Sequence, residues 1–327
     1  MNTLQLRAFG KPTTAPELVE SEPPVPGPGQ VLVALEAAPI NPSDLLLITG
    51  RYGHRPPLPA PLGAEGVGRI AAVGAGVDPV RIGERVLIVP TLEHGTWQDQ
   101  TVIDASGAIP VDPAADALQL AMLGINPLTA DLLLRRFTDL PPGAWVGQTA
   151  ANSAVGRYVI ALATQAGLRT LNVVRRPEVA AELSELGGDA VVVSGPDLGG
   201  ELEKALGDEG ISLLLDAVGG DVVTELASRL VSGGTLVSYG GMSGAPVVVS
   251  PADLIFRDVQ VRGFWLKHWL ETTPPAEVVA SYARLANLVA DGTLRAPVAA
   301  TYPLEQYRDA LAHAAQTERA GKVLFAW

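Results

Sequence analysis

Residues 144–176 constrain the fold of this chain more than any other segment. The apolar run Ala144–Val146 leads into a turn of small residues ending at Gly156, and a helical pattern begins near Val155. A second apolar run, Leu171–Val174, ends in two arginines. A strand, a tight turn, a helix and a second strand in this order are typical of a dinucleotide-binding unit. In such a unit the pyrophosphate lies at the helix N-terminus.

The turn departs from the full dinucleotide fingerprint, which has three glycines. Ala151 and Ser153 occupy the first two glycine positions, and only Gly156 is retained. An ordinary strand-to-helix turn of an α/β protein is therefore the alternative. Ala and Ser are small enough for close approach of the backbone to a phosphate, and the order of the elements favours the dinucleotide site.

Two arginines at the end of the second strand indicate which dinucleotide is bound. An NAD site usually places a carboxylate about 20 residues past the glycine turn, where it holds the ribose 2′-hydroxyl. Here Arg175 lies 175 − 156 = 19 residues past Gly156, and Arg176 follows it. Arginines at a strand end can simply be solvated, but a guanidinium at this position suits a 2′-phosphate. We therefore predict NADPH as the cofactor.

Length and composition exclude several classes of protein. A chain of 327 residues favours two domains. The net charge of −12 argues against binding to nucleic acids and anionic membranes. There is no cysteine, and the four histidines are scattered, so no metal site is expected. No apolar run approaches the roughly 20 residues of a membrane span, and Met1–Gly10 lacks a signal-peptide core. A cytoplasmic protein is the expectation.

The hydrophobic pattern changes character along the chain. Residues 1 to about 120 read as short strands with one short helix, Leu45–Thr49, and as loops at Lys11–Gln30 and Arg51–Pro61. A helix is predicted over Leu118–Arg136, and short apolar runs then alternate with helical segments, as in a parallel, doubly wound sheet. The last strand of this sheet is predicted at Val259–Trp265.

After about residue 267 the chain is expected to return to the first domain, because two further strand patterns follow, at Val298–Tyr302 and Lys322–Phe325. The predicted domains are residues 1–121 with 267–327, and residues 122–266. The edge of a doubly wound sheet exposes unpaired backbone groups, and the apolar segment Pro246–Val249 could cover or extend such an edge. A homodimer is therefore expected.

Gly63-Ala-Glu-Gly-Val-Gly68 resembles the glycine-rich signature of the medium-chain dehydrogenases/reductases. The zinc alcohol dehydrogenases of that family carry His where this chain has Ala64, so the chain resembles the zinc-free branch. Further motifs resemble the NADPH-dependent trans-2-enoyl thioester reductases, the mitochondrial enoyl-CoA/ACP reductases and their bacterial relatives. These motifs are Asn41-Pro-Ser-Asp44, Gly50-Arg-Tyr-Gly53, Leu123-Gly-Ile-Asn-Pro127, Ala151-Asn-Ser-Ala-Val-Gly156, Leu171-Asn-Val-Val-Arg175, Ser238-Tyr-Gly-Gly-Met242 and Arg262-Gly-Phe-Trp-Leu266.

The resemblance implies an α/β fold with a β-rich GroES-like catalytic domain and a Rossmann domain. It implies reduction of the C=C bond of an enoyl thioester, with Tyr52 as proton donor, no metal, and Asn41 and Trp265 in the substrate pocket. The resemblance also implies an acyl carrier protein as a partner. The implied cofactor contacts are Asn126, Asn152, Ser153, Ala154, Val155, Gly156, Arg175, Arg176, Tyr239, Gly240, Gly241, Met242, Phe264, Trp265, Leu266 and Lys322.

Simpler interpretations stand beside these roles. Tyr52 lies in a Gly/Pro-rich loop and could pack against a proline, Trp265 could belong to the core, and His54 could be a solvated loop residue. Glu65 is expected to be structural, through hydrogen bonds to turn amides. Two other functions are open: a quinone or alkenal reductase of the same superfamily, and a non-catalytic NADPH-binding protein.

Overall fold

The protein divides into two units in a computed structural model that describes residues 1–327. The first unit comprises Met1–Leu128 together with Lys267–Trp327, and the second comprises Thr129–Leu266. None of the helices is long and apolar enough to cross a membrane. Each unit has its own sheet and its own hydrophobic core.

Sixteen strands form the sheets of the two units. They are β1 (Asn2–Leu6), β2 (Pro16–Glu20), β3 (Gln30–Pro39), β4 (Ala60–Pro61), β5 (Gly66–Val73), β6 (Arg85–Ile88), β7 (Gln100–Asp104), β8 (Ala108–Pro110), β9 (Trp145–Gln148), β10 (Arg169–Val174), β11 (Ala190–Val193), β12 (Ile211–Asp216), β13 (Leu230–Ser238), β14 (Gln260–Gly263), β15 (Val298–Tyr302) and β16 (Lys322–Ala326).

Eleven α-helices accompany the strands. They are α1 (Pro42–Ile48), α2 (Ala117–Ala121), α3 (Asn126–Arg135), α4 (Ala154–Gln165), α5 (Ala180–Glu185), α6 (Leu198–Leu206), α7 (Asp221–Ser228), α8 (Pro251–Phe256), α9 (Leu266–Thr272), α10 (Pro275–Ala290) and α11 (Tyr307–Ala314).

The first unit is built on a long central strand, β3, which pairs with β5, β7 and β16. The seven-stranded sheet runs β15-β16-β3-β5-β6-β8, with β7 added beside β3, and a small sheet of β2-β1-β4 completes the unit. Leu4, Leu6 and Ile40 are buried in one core cluster, in which Trp97 and Phe325 meet edge to face at 5.4 Å. This β-rich unit confirms the GroES-like part of the predicted fold.

The second unit contains a six-stranded sheet in the order β11-β10-β9-β12-β13-β14, with every pair parallel. The strand order reverses between β9 and β12, which is the point where doubly wound sheets bind ligands at their carboxyl ends. Buried leucines such as Leu171, Leu214 and Leu236 fill the core between the sheet and its helices. The predicted doubly wound sheet is confirmed, including its last strand near residue 260.

Three of the sequence-based assignments are wrong, and tertiary contacts explain them. Arg51–Pro61 was predicted as a loop, but its last two residues are β4, which forms by pairing antiparallel with β1. Lys11–Gln30 was predicted as a loop but contains β2, which forms because it pairs antiparallel along the whole of β1. The helix predicted over Leu118–Arg136 is two helices, α2 and α3, with a turn between them. The backbone N–H of Ile125 in that turn donates to the Glu65 carboxylate, so it is not available to a continuous helix.

Candidate active site

A buried polar cluster forms where five segments of the first unit converge. Asn41 follows β3, Asp44 lies in the first turn of α1, and Glu65 precedes β5. Asn126 begins α3 and Lys322 begins β16. All five side chains are at most 7% exposed. The structure thus brings together three of the residues predicted for the site, Asn41, Asn126 and Lys322, with two carboxyl groups.

Asn41 is the centre of this cluster because each of its polar groups has a partner. Its backbone N–H donates to Asp44 Oδ2 at 2.7 Å, and its side-chain Nδ2 donates to Glu65 Oε1 at 2.8 Å. Its Oδ1 accepts from Lys322 Nζ and from Asn126 Nδ2, the latter at 3.2 Å. Asn41 was predicted to line the substrate pocket. In the structure its backbone N–H, its Nδ2 and its Oδ1 all form hydrogen bonds within the protein.

Glu65 holds the turn between α2 and α3. Its Oε2 accepts from the backbone N–H of Ile125 at 2.7 Å, and its Oε1 lies 3.4 Å from Asn126 Nδ2. Its main-chain oxygen accepts from the Thr96 hydroxyl at 2.8 Å. The structural role predicted for this residue, through hydrogen bonds to turn amides, is confirmed by these contacts.

Burial governs the protonation of the cluster. It raises the pKa of Glu65 to about 8 and that of Asp44 to about 7, in each case opposed by the positive charge of Lys322. Burial lowers the pKa of Lys322 to about 8, opposed by the two carboxylates, while Arg319 lowers it further. Two carboxyl groups share one lysine, so the cluster holds an extra proton near neutral pH.

The phosphate-facing turn lies in the second unit, between β9 and α4. Ser153 caps the helix, and its hydroxyl accepts from the backbone N–H of Gly156 at 3.1 Å. The N–H groups of Ala154 and Val155, in the first turn, have no partner within the helix. A Cβ on Gly156 would lie 2.7 Å from the carbonyl carbon of Ala151, so only glycine allows the helix this close to the strand.

Polar side chains that the sequence reasoning did not identify brace this turn. Gln148 Nε2 donates to Asn172 Oδ1 at 2.7 Å and to the Gly156 carbonyl at 3.0 Å. Thr149 donates its hydroxyl to Asp216 Oδ1 at 2.8 Å, which joins β9 to the end of β12. Gln148, Asn172 and Asp216 are polar residues within otherwise apolar strands. This pattern in the sequence could have indicated buried side-chain hydrogen bonds at these positions.

The predicted cofactor-contacting residues of the second unit lie at the carboxyl ends of adjacent strands. Arg175 and Arg176 directly follow β10, next to β9, and Arg175 is exposed. Asn152, half-buried, lies in the turn after β9, and its carbonyl oxygen accepts from Arg157 Nε at 3.4 Å. The sheet therefore places the turn and the two arginines at the same end, where the carboxyl ends of its parallel strands lie. This arrangement fits a dinucleotide with a 2′-phosphate.

Two further predicted segments follow the carboxyl ends of the neighbouring strands. Tyr239–Met242 follows β13, and Phe264–Leu266 follows β14. A Cβ on Gly240 would lie 2.9 Å from the Ala217 carbonyl oxygen, and Gly241 is exposed. The backbone N–H of Phe264 donates to the Ser238 carbonyl at 3.0 Å. Burial and the charge of Asp216 raise the pKa of Tyr239, so its phenol is neutral at physiological pH.

Tyr52 and Trp265 occupy partly open positions in their respective units. Tyr52 is half-buried in the loop after α1, where its ring packs against the core cluster that includes Leu47 and Ile48. Trp265 is 38% exposed, so it is not a core residue. The pKa of the Glu271 carboxyl group is lowered mainly by its hydrogen bond from Lys267. The nearby His54 makes a smaller contribution in the same direction.

Comparison with known proteins identifies the family. The model described as the alcohol dehydrogenase GroES-like domain matches residues 27–113, and the zinc-binding dehydrogenase model matches residues 154–281. The mitochondrial enoyl-acyl-carrier-protein reductase of Homo sapiens is 39% identical over 307 residues, 92% of this chain and 82% of that protein. The chain belongs to the medium-chain dehydrogenase/reductase superfamily. The Rattus norvegicus reductase is 41% identical over 86% of this chain and 76% of that protein.

Solved structures resemble this medium-chain dehydrogenase/reductase over its whole length. A putative NADPH:quinone reductase from Bacillus thuringiensis has a TM-score of 0.90 at 30% identity, covering 100% of this chain and 98% of that one. A complex of Etr1p with NADP and crotonyl-CoA has a TM-score of 0.85 at 27% identity, and an enoyl thioester reductase from Candida tropicalis has 0.87 at 26%. Each of the last two comparisons covers 100% of this chain and 99% of the other.

Proposed function

We propose that this medium-chain dehydrogenase/reductase uses NADPH to reduce the C=C bond of a trans-2-enoyl thioester. The observation that carries the proposal is the 39% identity, over 92% of the chain, to a protein named as an enoyl-acyl-carrier-protein reductase. The relatives that share the fold include a structure named as a complex with NADP and crotonyl-CoA. An acyl thioester is therefore the substrate class that we propose.

The residues of the second unit would hold the cofactor at three points. The free N–H groups at the start of α4 suit the pyrophosphate, Arg175 and Arg176 suit the 2′-phosphate, and the segment Phe264–Leu266 suits the nicotinamide. When bound, NADPH supplies the hydride that adds to the β-carbon of the substrate. The protein must then stabilise negative charge on the thioester oxygen and supply a proton to the α-carbon.

Tyr52 is the residue that we propose as proton donor. A phenol has an ordinary pKa of about 10, so it stays protonated at neutral pH and can donate a hydrogen bond to a developing enolate. The ring of Tyr52 is held by the core cluster while the side chain remains partly exposed, which suits contact with a ligand. Ala64 stands where zinc enzymes of the family carry His, so a neutral hydroxyl is needed to polarise the substrate.

A quinone reductase is the second candidate function. The observation that favours it is the likeness, at a TM-score of 0.90, to a structure named as a putative NADPH:quinone reductase. A substrate panel separates the two functions: NADPH oxidation is followed by absorbance with crotonyl-CoA, a quinone and an enal in parallel. We expect the highest kcat/KM with crotonyl-CoA. A higher value with the quinone would reject the thioester assignment.

A homodimer formed along β14 is also part of the proposal. β14 is the outer strand of its sheet and all four of its residues are exposed. Nearby in sequence, Ile255 and Phe256 of α8 are 70% and 82% exposed. A second copy pairing with β14 would cover the unpaired edge, and a two-fold axis allows the same strand to meet itself. A Candida tropicalis relative is named as a heterodimer of Etr1p and Etr2p.

The segment Pro246–Val249, which was expected to cover or extend a sheet edge, forms hydrogen bonds with α7 and the residue before it. The Pro246 carbonyl accepts from the N–H of Gly220, and the Val248 carbonyl accepts from the Thr224 hydroxyl at 3.1 Å. These contacts hold it against the start of α7. An acyl carrier protein as partner and a cytoplasmic location remain predictions, and the relatives in the comparison are named as mitochondrial proteins.

A further inference from the structure

Three exposed basic side chains lie on neighbouring segments at the surface of the first unit. Arg51 and Arg55 belong to the loop after α1, and Lys11 lies between β1 and β2. The backbone N–H of Gly10 donates to the carbonyl of Ile48 at 2.9 Å, which holds the two segments side by side. Lys11, Arg51 and Arg55 are called the basic patch.

The guanidinium group of Arg55 has a defined position on this surface. Arg55 Cζ lies over the ring of Phe9, 4.8 Å from its centroid, which is a favourable cation–π arrangement. A Cβ on Gly50 would lie 3.1 Å from Arg55 Nη2, so the absence of a side chain there lets the guanidinium approach the backbone. The Arg55 guanidinium therefore lies beside the residue that precedes Arg51 in the chain.

The positive charge of the basic patch is not neutralised within the protein. The sequence has no Asp or Glu in the segments that carry the patch, Arg7–Pro16 and Leu45–Ala64. None of the three patch residues forms an ion pair, although ten ion pairs occur elsewhere in the chain. The patch is thus a local concentration of positive charge in a chain whose net charge is −12.

Two carboxylates of neighbouring elements already have cationic partners. Glu17 of β2 pairs with Arg7 at 3.1 Å. Glu271 of α9, whose charge interacts with His54, pairs with Lys267 at 2.7 Å. These carboxylates are therefore not available to balance the charge of the patch, and an anionic ligand can do so.

We propose that the basic patch binds the phosphate groups of coenzyme A, and that the enoyl thioester reduced by this protein is a coenzyme A ester. The inference rests on the proposed function and names the carrier of the acyl group. Guanidinium groups suit this ligand because they donate paired hydrogen bonds to phosphate oxygens.

The position of Tyr52 agrees with this ligand. Tyr52, the proposed proton donor, lies between Arg51 and Arg55 in the loop, and it is half-buried whereas both arginines are exposed. The thioester and the phosphates of coenzyme A lie at opposite ends of a pantetheine arm. When the thioester reaches the half-buried tyrosine, the phosphates remain on the solvent side, where the arginines lie.

The size and charge of the patch favour a small polyanion over an acidic carrier protein. A specific protein–protein interface typically covers about 800 Å² of each partner. Over such an area a chain with a net charge of −12 would repel an acidic protein beyond the three cations of the patch. Coenzyme A concentrates its negative charge at one end of a small molecule, which three cations can match.

Two thioesters with the same acyl group test this inference. Crotonyl-CoA carries phosphates, whereas crotonyl N-acetylcysteamine ends before them. Steady-state kinetics at saturating NADPH compare the wild type with the double variant Arg51→Gln/Arg55→Gln and with Arg51→Lys/Arg55→Lys, which retains both charges. Arg308→Gln is the matched control, because Arg308 is also exposed and its Cζ lies 4.7 Å from the ring centroid of Tyr307. Thermal unfolding checks that every variant is folded.

The loss should be confined to the substrate that carries phosphates. The Gln variant should raise the KM for crotonyl-CoA about 10- to 100-fold and leave kcat/KM for the N-acetylcysteamine ester within about twofold of the parent. The Lys variant should retain most of the affinity, and Arg308→Gln should resemble the wild type. An unchanged KM for crotonyl-CoA, or equal losses with both thioesters, would overturn the inference.

Crotonyl-acyl carrier protein distinguishes the two carriers. If the patch serves coenzyme A, the wild type should have the higher kcat/KM with crotonyl-CoA, and the Gln variant should lose more with crotonyl-CoA than with the protein-bound substrate. A larger loss with crotonyl-acyl carrier protein would assign the patch to a protein partner and would overturn the inference.

A binding measurement keeps the inference separate from the proposed function. Free coenzyme A and pantetheine are titrated calorimetrically into the wild type and the Gln variant with NADP present, so that coenzyme A does not occupy the dinucleotide site. The Gln variant should bind coenzyme A at least about 10-fold more weakly. A protein that reduces no thioester would reject the proposed function, and this difference would still assign the patch to the phosphates. Equal binding by the two proteins, or no binding of coenzyme A to the wild type, would overturn the inference.

Discussion

The carboxylate of Glu65 accepts a hydrogen bond from the backbone N–H of Ile125 at 2.7 Å, across 60 residues of sequence. This contact joins the segment before β5 to the turn that ends at Asn126. It interrupts what would otherwise be one helix, and it places Asn126 beside Asn41. One buried carboxyl group thus shapes both the local backbone and the candidate site.

Truncation of Glu65 is therefore expected to destabilise the protein strongly. Glu65→Ala would leave the donors of Ile125, Asn41 and Asn126 without their acceptor and Lys322 without one of its neighbouring carboxyl groups. Each buried donor left without an acceptor typically costs about 1–3 kcal/mol. Glu65→Gln keeps an acceptor and the volume, so it should cost less. Urea unfolding monitored by circular dichroism measures both, and equal stabilities of the two variants would contradict this role.

The raised pKa values of Glu65 and Asp44 predict that stability falls as the pH rises. Glu65 has an ordinary pKa of 4.5 and a folded pKa of about 8. Between these values the folded state holds a proton that the unfolded state has released, so each such proton contributes a decline of up to about 1.4 kcal/mol per pH unit. Asp44 acts in the same direction between pH 3.8 and about 7.

Lys322 acts in the opposite direction at higher pH. Its folded pKa of about 8 lies below the ordinary 10.5, so the unfolded state binds more protons between these values and stability rises with pH there. Unfolding temperatures from pH 5 to 10 should show a decline to about pH 8. Glu65→Gln should flatten the decline, whereas Asp253→Asn, which alters a carboxyl group of the other unit, should not.

Arg175→Ala should erode the preference for NADPH. A charge-assisted contact to phosphate is typically worth about 1.5–3 kcal/mol, or roughly 10- to 100-fold in affinity. Because NADH lacks the 2′-phosphate, its kcat/KM should change little. Kinetics with both cofactors measure the ratio, and Arg308→Ala, at an exposed position on α11, is the control. Equal kcat/KM for NADPH and NADH in the wild type would refute the assignment of Arg175.

Tyr52→Phe removes one oxygen and leaves the ring packing against the core cluster intact. Loss of a general acid typically lowers the rate roughly 10²- to 10⁴-fold. The dissociation constant of NADPH should remain near that of the parent, because the residues proposed to bind its phosphates lie in the second unit. Steady-state kinetics and fluorescence titration give the two values. A kcat within about threefold of the parent would assign the proton to another donor, such as His54 or a water.

Introduction of a charge on β14 should dissociate the proposed dimer. Val261 is 45% exposed at the centre of the edge strand, where a second copy would pair. Val261→Asp would place like charges opposite one another across a two-fold interface, so light scattering at micromolar concentration should show monomers. Val25→Asp, at an 88% exposed position of the first unit, should leave the dimer unchanged. If light scattering shows that the wild-type protein is a monomer at micromolar concentration, the proposed dimer is rejected.

Local patterns in the sequence determined the dinucleotide unit and the two-part division into β-rich and alternating segments. The turn before α4 requires glycine at position 156 because of contacts five residues away, with Ala151, and helix capping by Ser153 spans three residues. Short-range requirements of this kind can be recognised in a linear sequence. The central strands of the parallel sheet were recognised for the same reason, since each contains a short apolar run, such as Leu213–Leu215 in β12.

The buried cluster and β2 were decided only by the tertiary structure. Lys322 and Asn41 are separated by 281 residues, and no local pattern marks a lysine as buried among carboxyl groups. β2 has no strand pattern of its own and depends on pairing with β1, and the break between α2 and α3 depends on Glu65. Sequence periodicity reports the environment along one element, whereas burial of charge and pairing of strands depend on which distant segments the fold brings together.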